Sequence, residues 1–334
     1  MTRKIIKIAS LLLVVLAITS CGNPSTNTLS AAQKLIKISC VEPDDGQTIT
    51  ALEIFKEKIQ YYSSDMVATY DISPHPIFDV INGDAQIAIV ETKNLGEYGR
   101  DFQMLSSPFF FDSALQSTMT TNSNDFKDIF DQYFIDKTSC KYLSSVYLSS
   151  EVIASNSEYL SSVGDFDKKA VAIKKSDGFA KDIFSRFNAE ITEVDDKKYF
   201  EYVNSQDMVI FNFNLSQPES LDIKASKSSI YVVDKPLYVN AQWVLINNEY
   251  WEGLSQNLKY KLLQALSYFN AACEEPRLAE QDELFYTYAH NKTNLVKTSG
   301  NSIKSDVQSY IKFSEEYGKK WDMTKYNDTI LIIK

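Results

Sequence analysis

Residues Met66–Glu91 read MVATYDISPHPIFDVINGDAQIAIVE. MVATYD alternates as a half-buried strand does. PIFDVING is a short helix stopped by Asn82-Gly83, and AQIAIVE is a strand again. Upstream, residues 35–42 form a first strand, and TITALEIFKEKIQYYSS sets Leu52, Phe55, Ile59 and Tyr62 on one helical stripe. Strand, helix, strand, helix, strand is the rhythm of a parallel sheet covered by helices.

Downstream, LSSPFFFDS interrupts the pattern, and a helix carrying Phe126, Ile129, Phe130 and Tyr133 follows. The phenylalanine run reads as domain core in preference to a ligand wall. A second α/β unit begins near residue 140. CKYLSSVYL and EVIAS read as two strands, and AVAIK (170–174) as the next. DGFAKDIFSRFN is a helix with Phe179, Ile183 and Phe187 at four-residue spacing; AEITEV is a strand, KKYFEYVNS a helix and DMVIFNFN a strand. IYVVDK and NAQWVLINN follow as two further strands. From Ser255 to about His290 runs a long helical pattern, inside which Pro276 is expected to kink or break the helix. A last amphipathic helix is expected over roughly 302–321, ending at Trp321.

The first residues carry a different signal. Arg3, Lys4 and Lys7 precede the apolar run IASLLLVVLAI, and ITSCG follows. Small residues before a cysteine after such a run match the bacterial lipoprotein processing box. Residues 1–20 are therefore expected to be a signal peptide, Cys21 the lipid-bearing residue, and 21–35 a flexible polar tether. Loss of residues 1–20, which hold three basic and no acidic side chains, takes the formal net charge from −10 to −13. Such an acidic body argues against nucleic acid as a partner. Hydrophobic residues at 44% and aromatics at 13% supply ample core, and roughly 300 residues suffice for two domains.

Several chemistries lack their residues. His75 and His290 are the only histidines, too few for a histidine-based metal site or a Ser-His-Asp triad. Neither glycine-rich phosphate motif occurs, nor Cys-x-x-Cys. No catalytic residue, metal or cofactor is assigned. With Cys21 set aside, Cys40, Cys140 and Cys273 permit at most one disulfide; Cys40 and Cys140 read as small buried hydrophobes.

The order of these elements resembles that of the substrate-binding subunits of TRAP (tripartite ATP-independent periplasmic) transporters, of the dicarboxylate-binding type. YDISPHPIFDVINGDAQIAIVE, LSSPFFFDS, FNAEITEVDDKKYFEYVNSQDMVIFNF, WVLINNEYWEGLSQNLKYKLLQAL with LAEQDELF, and the closing NKTNLVKTSGNSIKSDVQSYIKFSEEYGKKW carry the likeness. It covers about residues 36–325. It implies an α/β, type II periplasmic-binding-protein-like fold: two α/β domains with a cleft between them and a long C-terminal helix. Domain I is expected at 36–148 plus 237–255, and domain II at 149–236 plus 256–334 with the linking helix. The implied function is an extracytoplasmic solute-binding lipoprotein that delivers its ligand to TRAP membrane subunits. An orphan sensor or interaction lipoprotein on the same fold is the alternative.

The resemblance also implies an arginine, at the end of the strand that opens the second domain, to meet a ligand carboxylate. Matching places it near Ala172, or at Lys174 if the register slips by two. No arginine stands between Arg100 and Arg186. Lys174 and Lys175 either substitute in part or are solvated strand ends. Asn212 and Asn214 either face the cleft or turn the chain after their strand. Gln242 and Trp243 fall near the cleft, with Trp243 open to stacking or core roles. The expected ligand is an organic acid or a less polar compound.

Overall fold

The computed structural model describes residues 34–42, 46–214, 223, 229–290 and 294–333. The expected signal peptide and Cys21 lie outside the described residues, as does nearly all of the tether.

The first unit is built as its sequence suggests. β1 (Lys34–Cys40), β2 (Met66–Ile72) and β3 (Ile87–Glu91) are parallel, with α1 (Gly46–Tyr62) and α2 (Pro76–Ile81) as crossovers. α1 buries Ala51, Leu52, Phe55 and Ile59, one apolar stripe at helical spacing. α3 (Ala114–Thr121) and α4 (Asn124–Thr138) follow. Phe109, Phe110 and Phe111 of the interrupting segment are all buried, in the core expected for them.

Two long strands come next in importance. β4 (Cys140–Ser155) runs unbroken through what the sequence divides into two strands. β8 (Ser229–Asn247) does the same, through Pro236. Proline is tolerated there because its missing N–H falls at a register shift, where Pro236 stands opposite Val152. At 16 and 19 residues these strands far exceed the usual length of about 5–6. They are antiparallel neighbours along nearly their whole length, and they join the two lobes.

β5 (Ala170–Lys174), α5 (Gly178–Arg186), β6 (Glu190–Val194), α6 (Tyr199–Ser205) and β7 (Ile210–Asn214) complete the second lobe's sheet. The order is β2-β1-β3-β8-β4-β7-β5-β6, and β9 (Asn294–Thr298) pairs with the first residues of β8. One sheet thus passes through both lobes, carried by β4 and β8.

α7 (Gln256–His290) is continuous past Pro276, so of the two expectations, a kink or a break, the break does not occur. Its Leu262, Ala265, Leu266, Phe269 and Cys273 pack on the α1 stripe, with the Phe55 and Phe269 rings 5.6 Å apart. α8 (Asn301–Phe313) stops well short of Trp321. The cause is Gly318, whose backbone folds onto the helix end and donates to Ile311 O at 3.0 Å. Any Cβ at Gly318 would strike the carbonyls of Ile311 and Lys312. A separate terminal helix, α9 (Met323–Ile333), follows and was not foreseen. Cys40, Cys140 and Cys273 are buried, and no disulfide joins them.

Candidate functional site

β8 organises the candidate site through its alternation. Leu237, Val239, Ala241 and Trp243 point into the larger apolar core. Alternation puts Tyr238, Asn240 and Gln242 on the other face, although the Tyr238 ring also packs against the edge of that core. The register extends this row sideways. Tyr238 stands opposite Glu151, Asn240 opposite Ser149, and Gln242 opposite Val146. Gln242 also faces Glu91 on β3, and Glu151 faces Asn214 on β7. These side chains form a polar floor across the junction of the lobes. The N-terminal ends of α1 and α5 approach it, the first carrying Thr48 and the second capped by Asp177.

On the second-lobe side the floor is a hydrogen-bonded acidic network. Asp177 Oδ1 accepts from the backbone N–H of Ala180 at 2.9 Å, which caps α5, and from Tyr238 Oη at 2.8 Å. The Asn212 Nδ2 group donates to Glu151 Oε2 at 2.8 Å and lies 3.4 Å from Asp177 Oδ2. It therefore bridges the two carboxylates. Asn212 is itself fixed by Tyr199. The ladder between β5 and β7 ends at the Ala172–Phe211 pair. Beyond it, Tyr199 Oη accepts from Asn212 N–H at 3.1 Å and lies 2.9 Å from Ala172 O and 3.0 Å from Asn212 Oδ1. The hydroxyl fills the gap where the strands part.

Asp177 retains some accessible surface, yet the protein packed around it pushes its carboxyl up to about 6, and the Glu151 charge adds to the rise. Hydrogen bonds from Ala180 and Tyr238, and the Lys174 charge, oppose it. Burial and the nearby Asp177 raise the Tyr238 hydroxyl well above the ordinary phenol range.

The first-lobe side is different. Gln242 is wholly buried; its Oε1 lies 3.5 Å from Thr48 Oγ1, and its Nε2 has no partner. Arg277 reaches in from α7, donating from Nη2 to Thr48 Oγ1 at 2.7 Å and from Nη1 to Cys273 O at 3.0 Å. Glu91 is buried and pairs with Lys93 Nζ at 2.6 Å. The Cys40 thiol is pushed up to about 12 by burial, with Cys273 and Glu91 adding, so it is not a nucleophile at neutral pH. Among the described residues no group of three or more His, Cys, Asp and Glu side chains is placed to hold a metal ion.

The residues singled out from sequence scatter across this geometry. Gln242 and Asn214 stand on the floor. Asn212 is buried beneath it and positions the carboxylates. Lys174 is on the alternate face of β5, beside Ala172, with Nζ 5.7 Å from the centroid of the Tyr199 ring. Ala172, where the resemblance implies an arginine, is wholly buried. Trp243 takes the core alternative: its indole N–H donates to Thr92 Oγ1 at 3.0 Å, and Phe126, Phe134 and Tyr142 surround its ring. Its even-numbered neighbours face the floor, so Trp243 does not.

Sequence reasoning missed Glu151, Asp177, Tyr238 and Asn240. Asp177 had a legible signal, an aspartate directly before a helical pattern. Glu151 had none while β4 was divided, because it then began a separate strand. A groove of about 800 Å³ between α5 and α8 lies elsewhere, lined by Asp182, Arg186 and Tyr310 among others. There Arg186 lies over the Tyr310 ring and its Nε is 3.3 Å from the hydroxyl.

Two lobes joined by continuous strands, with a cleft floored at the crossing, define the type II periplasmic-binding fold. More narrowly, the solved structures that share this fold include TRAP periplasmic solute-binding proteins. That of Rhodobacter sphaeroides, in an apo open form, matches with a TM-score of 0.75 and 11% identity, over 90% of this chain and 98% of that one. One from Ochrobactrum anthropi, whose C-terminus is bound in its ligand-binding pocket, matches at 0.71 and 12%, over 91% and 96%. One from Shewanella oneidensis with bound succinate matches at 0.61 and 13%, over 91% and 100%. At these identities the likeness is one of fold. Neither a family model nor a curated protein matches the sequence.

Proposed function

We propose that this protein is an extracytoplasmic solute receptor that captures a small molecule between its lobes and delivers it to a TRAP-type membrane permease. The observation that carries this reading is the polar floor laid across β4 and β8, the two strands that both lobes share. A ligand on that floor touches both lobes at once, so its binding energy drives closure. The register shifts between β4 and β8 at Tyr147–Ser149 and beside Pro236 are the places where the two strands would flex to accommodate the motion. The neighbours named above are solute-binding proteins, which supports a binding role. Ligand contacts are Asn214, Asn240 and Gln242 together with the acidic pair, and Asn212 positions that pair.

The chain is held at the outer face of a bacterial membrane by lipid on Cys21, through a tether over 21–35. The motif ITSCG supports this. Replacement Cys21→Ser should release the protein from membranes; persistent sedimentation with the membrane fraction removes the anchor assignment.

The receptor reading is tested by mass spectrometry of small molecules released from the purified protein. A saturating ligand should then raise the melting temperature by mass action. If nothing co-purifies and no compound of a broad metabolite panel shifts melting, the receptor reading fails.

A further inference from the structure

We infer that the cleft selects a small organic cation, seating an ammonium-type nitrogen against Glu151 and Asp177 and turning an oxygen acceptor of the same molecule toward Gln242 Nε2. The inference rests on the receptor reading and names its ligand class. Two observations carry it independently.

The first is the charge of the second-lobe wall. Glu151 and Asp177 share one amide group, that of Asn212, and both keep some accessible surface. A carboxylate offers about four acceptor positions, so each retains capacity beyond the bonds it makes here. Among the described residues neither carboxylate is held in an ion pair: the Lys174 charge is felt at Asp177, but its ammonium lies beside the Tyr199 ring, on the Ala172 side of the strand. A ligand carboxylate or phosphate placed on this wall meets two negative charges held fixed by Asn212, Tyr199 and Tyr238. An ammonium, with three donors and no acceptor, meets complementary groups already oriented.

The second is the orphaned amide of Gln242. Its side chain is wholly buried, stands on the floor face, and leaves Nε2 without a partner. A buried donor left unpaired is disfavoured and rare. An acceptor oxygen on the ligand satisfies it. Gln242 follows Tyr238 and Asn240 at alternate positions of one strand, so nitrogen and oxygen sites lie along a single line. Four strand positions separate Tyr238 from Gln242, about 13 Å along β8, so the chemistries that span such a pair are extended ones that carry an amine at one end and an oxygen acceptor at the other, such as long-chain amino alcohols and ω-amino acids.

The test is a melting-temperature screen on the purified full chain. It uses matched series of amino alcohols, diols and dicarboxylates of rising chain length, together with the common amino acids and betaines. Amines should stabilise; diols and dicarboxylates should not. For the best amine, Glu151→Gln and Asp177→Asn should each weaken affinity by about tenfold or more. Asparagine remains a good helix cap, so the second variant folds, which circular dichroism verifies. Stabilisation by dicarboxylates or diols in place of amines overturns the inference while leaving the receptor reading intact. Amine affinity unchanged in both variants overturns it equally. Silence across the whole screen, with nothing co-purifying, removes both readings.

Discussion

The N-termini of α1 and α5 approach the same cleft from opposite lobes with opposite chemistry. At α5 the chain supplies its own anion: Asp177 caps the helix, and Asn212 ties it to Glu151. At α1 the residue in place is the hydroxyl of Thr48, backed by the buried Arg277 and beside the unpaired amide of Gln242. A helix N-terminus favours negative charge. Where a carboxylate is built in, that preference is already answered, and the wall presents acceptors. At α1, where Glu91 is already paired with Lys93, the groups left to face the cleft are the hydroxyl and the amide. On the inference drawn above, the two ends would divide the work, the second lobe reading charge and the first orientation.

The strongest test removes the part that holds the acidic wall together. Asn212→Leu leaves Glu151 and Asp177 facing each other without their shared donor and strips Tyr199 Oη of one partner. It should destabilise the protein by about 3 kcal/mol in urea unfolding. A loss under about 1 kcal/mol would falsify the view that this amide organises the wall.

Next in size is the charge of Asp177 itself. Its folded carboxyl titrates near 6, above the ordinary aspartate value, so the folded state holds this proton more tightly than the unfolded chain does. Its contribution to stability is accordingly greatest below about pH 4 and is lost as pH rises through 6. Glu151, Lys174, Tyr238 and Tyr199 are the groups that face it. Asp177→Asn should raise apo stability at pH 7 by about 2 kcal/mol and flatten the dependence between pH 4 and 7. A carboxylate kept where it destabilises the empty protein is the expected signature of a ligand seat. Unchanged melting of the variant across that range would count against it.

On the other wall the change runs the same way for a different reason. Gln242→Leu removes an unpaired buried N–H group for the loss of one long contact to Thr48. Stability should rise by about 1 kcal/mol while ligand affinity falls. A destabilised variant would mean that Thr48 and Gln242 form a structural pair, and the orientation role would pass to Asn240.

How much of this was legible in the sequence follows from period and distance. β1 to β3, with their helices, are local repeats of apolar spacing and could be read directly. The crossing strands could not. Ser149-Ser150 and Pro236 look like breaks, and only pairing with a distant partner keeps β4 and β8 continuous. The site inherits that limit, because Glu151 and Tyr238 become neighbours only across the crossing. Trp243 and Gln242 are adjacent in sequence and opposite in role, and a one-residue difference of face decides which is core. α8 ended early because Gly318 returns to the helix end, a contact that periodicity does not report.

The smallest expected effect concerns the residue that sequence reading made most prominent. Lys174 follows the apolar run of β5, at the mouth of a strand where positive charge often holds an anion. The strand's alternation places it with Ala172, toward α6, and its ammonium lies beside the Tyr199 ring instead of on the floor. A cation over an aromatic ring at a partly exposed site contributes about 0.5–1 kcal/mol. Lys174→Ala should therefore lower stability by no more than that and leave ligand affinity within about twofold. Lys174 also opposes the rise of the Asp177 carboxyl, so its loss should move the pH at which the Asp177 contribution fades slightly upward. An anion grip predicts the reverse pattern, with affinity collapsing and stability unchanged. The same variant measured in binding and in unfolding thus decides whether the charge of this cleft is set by the lysine of β5 or by the carboxylates across from it.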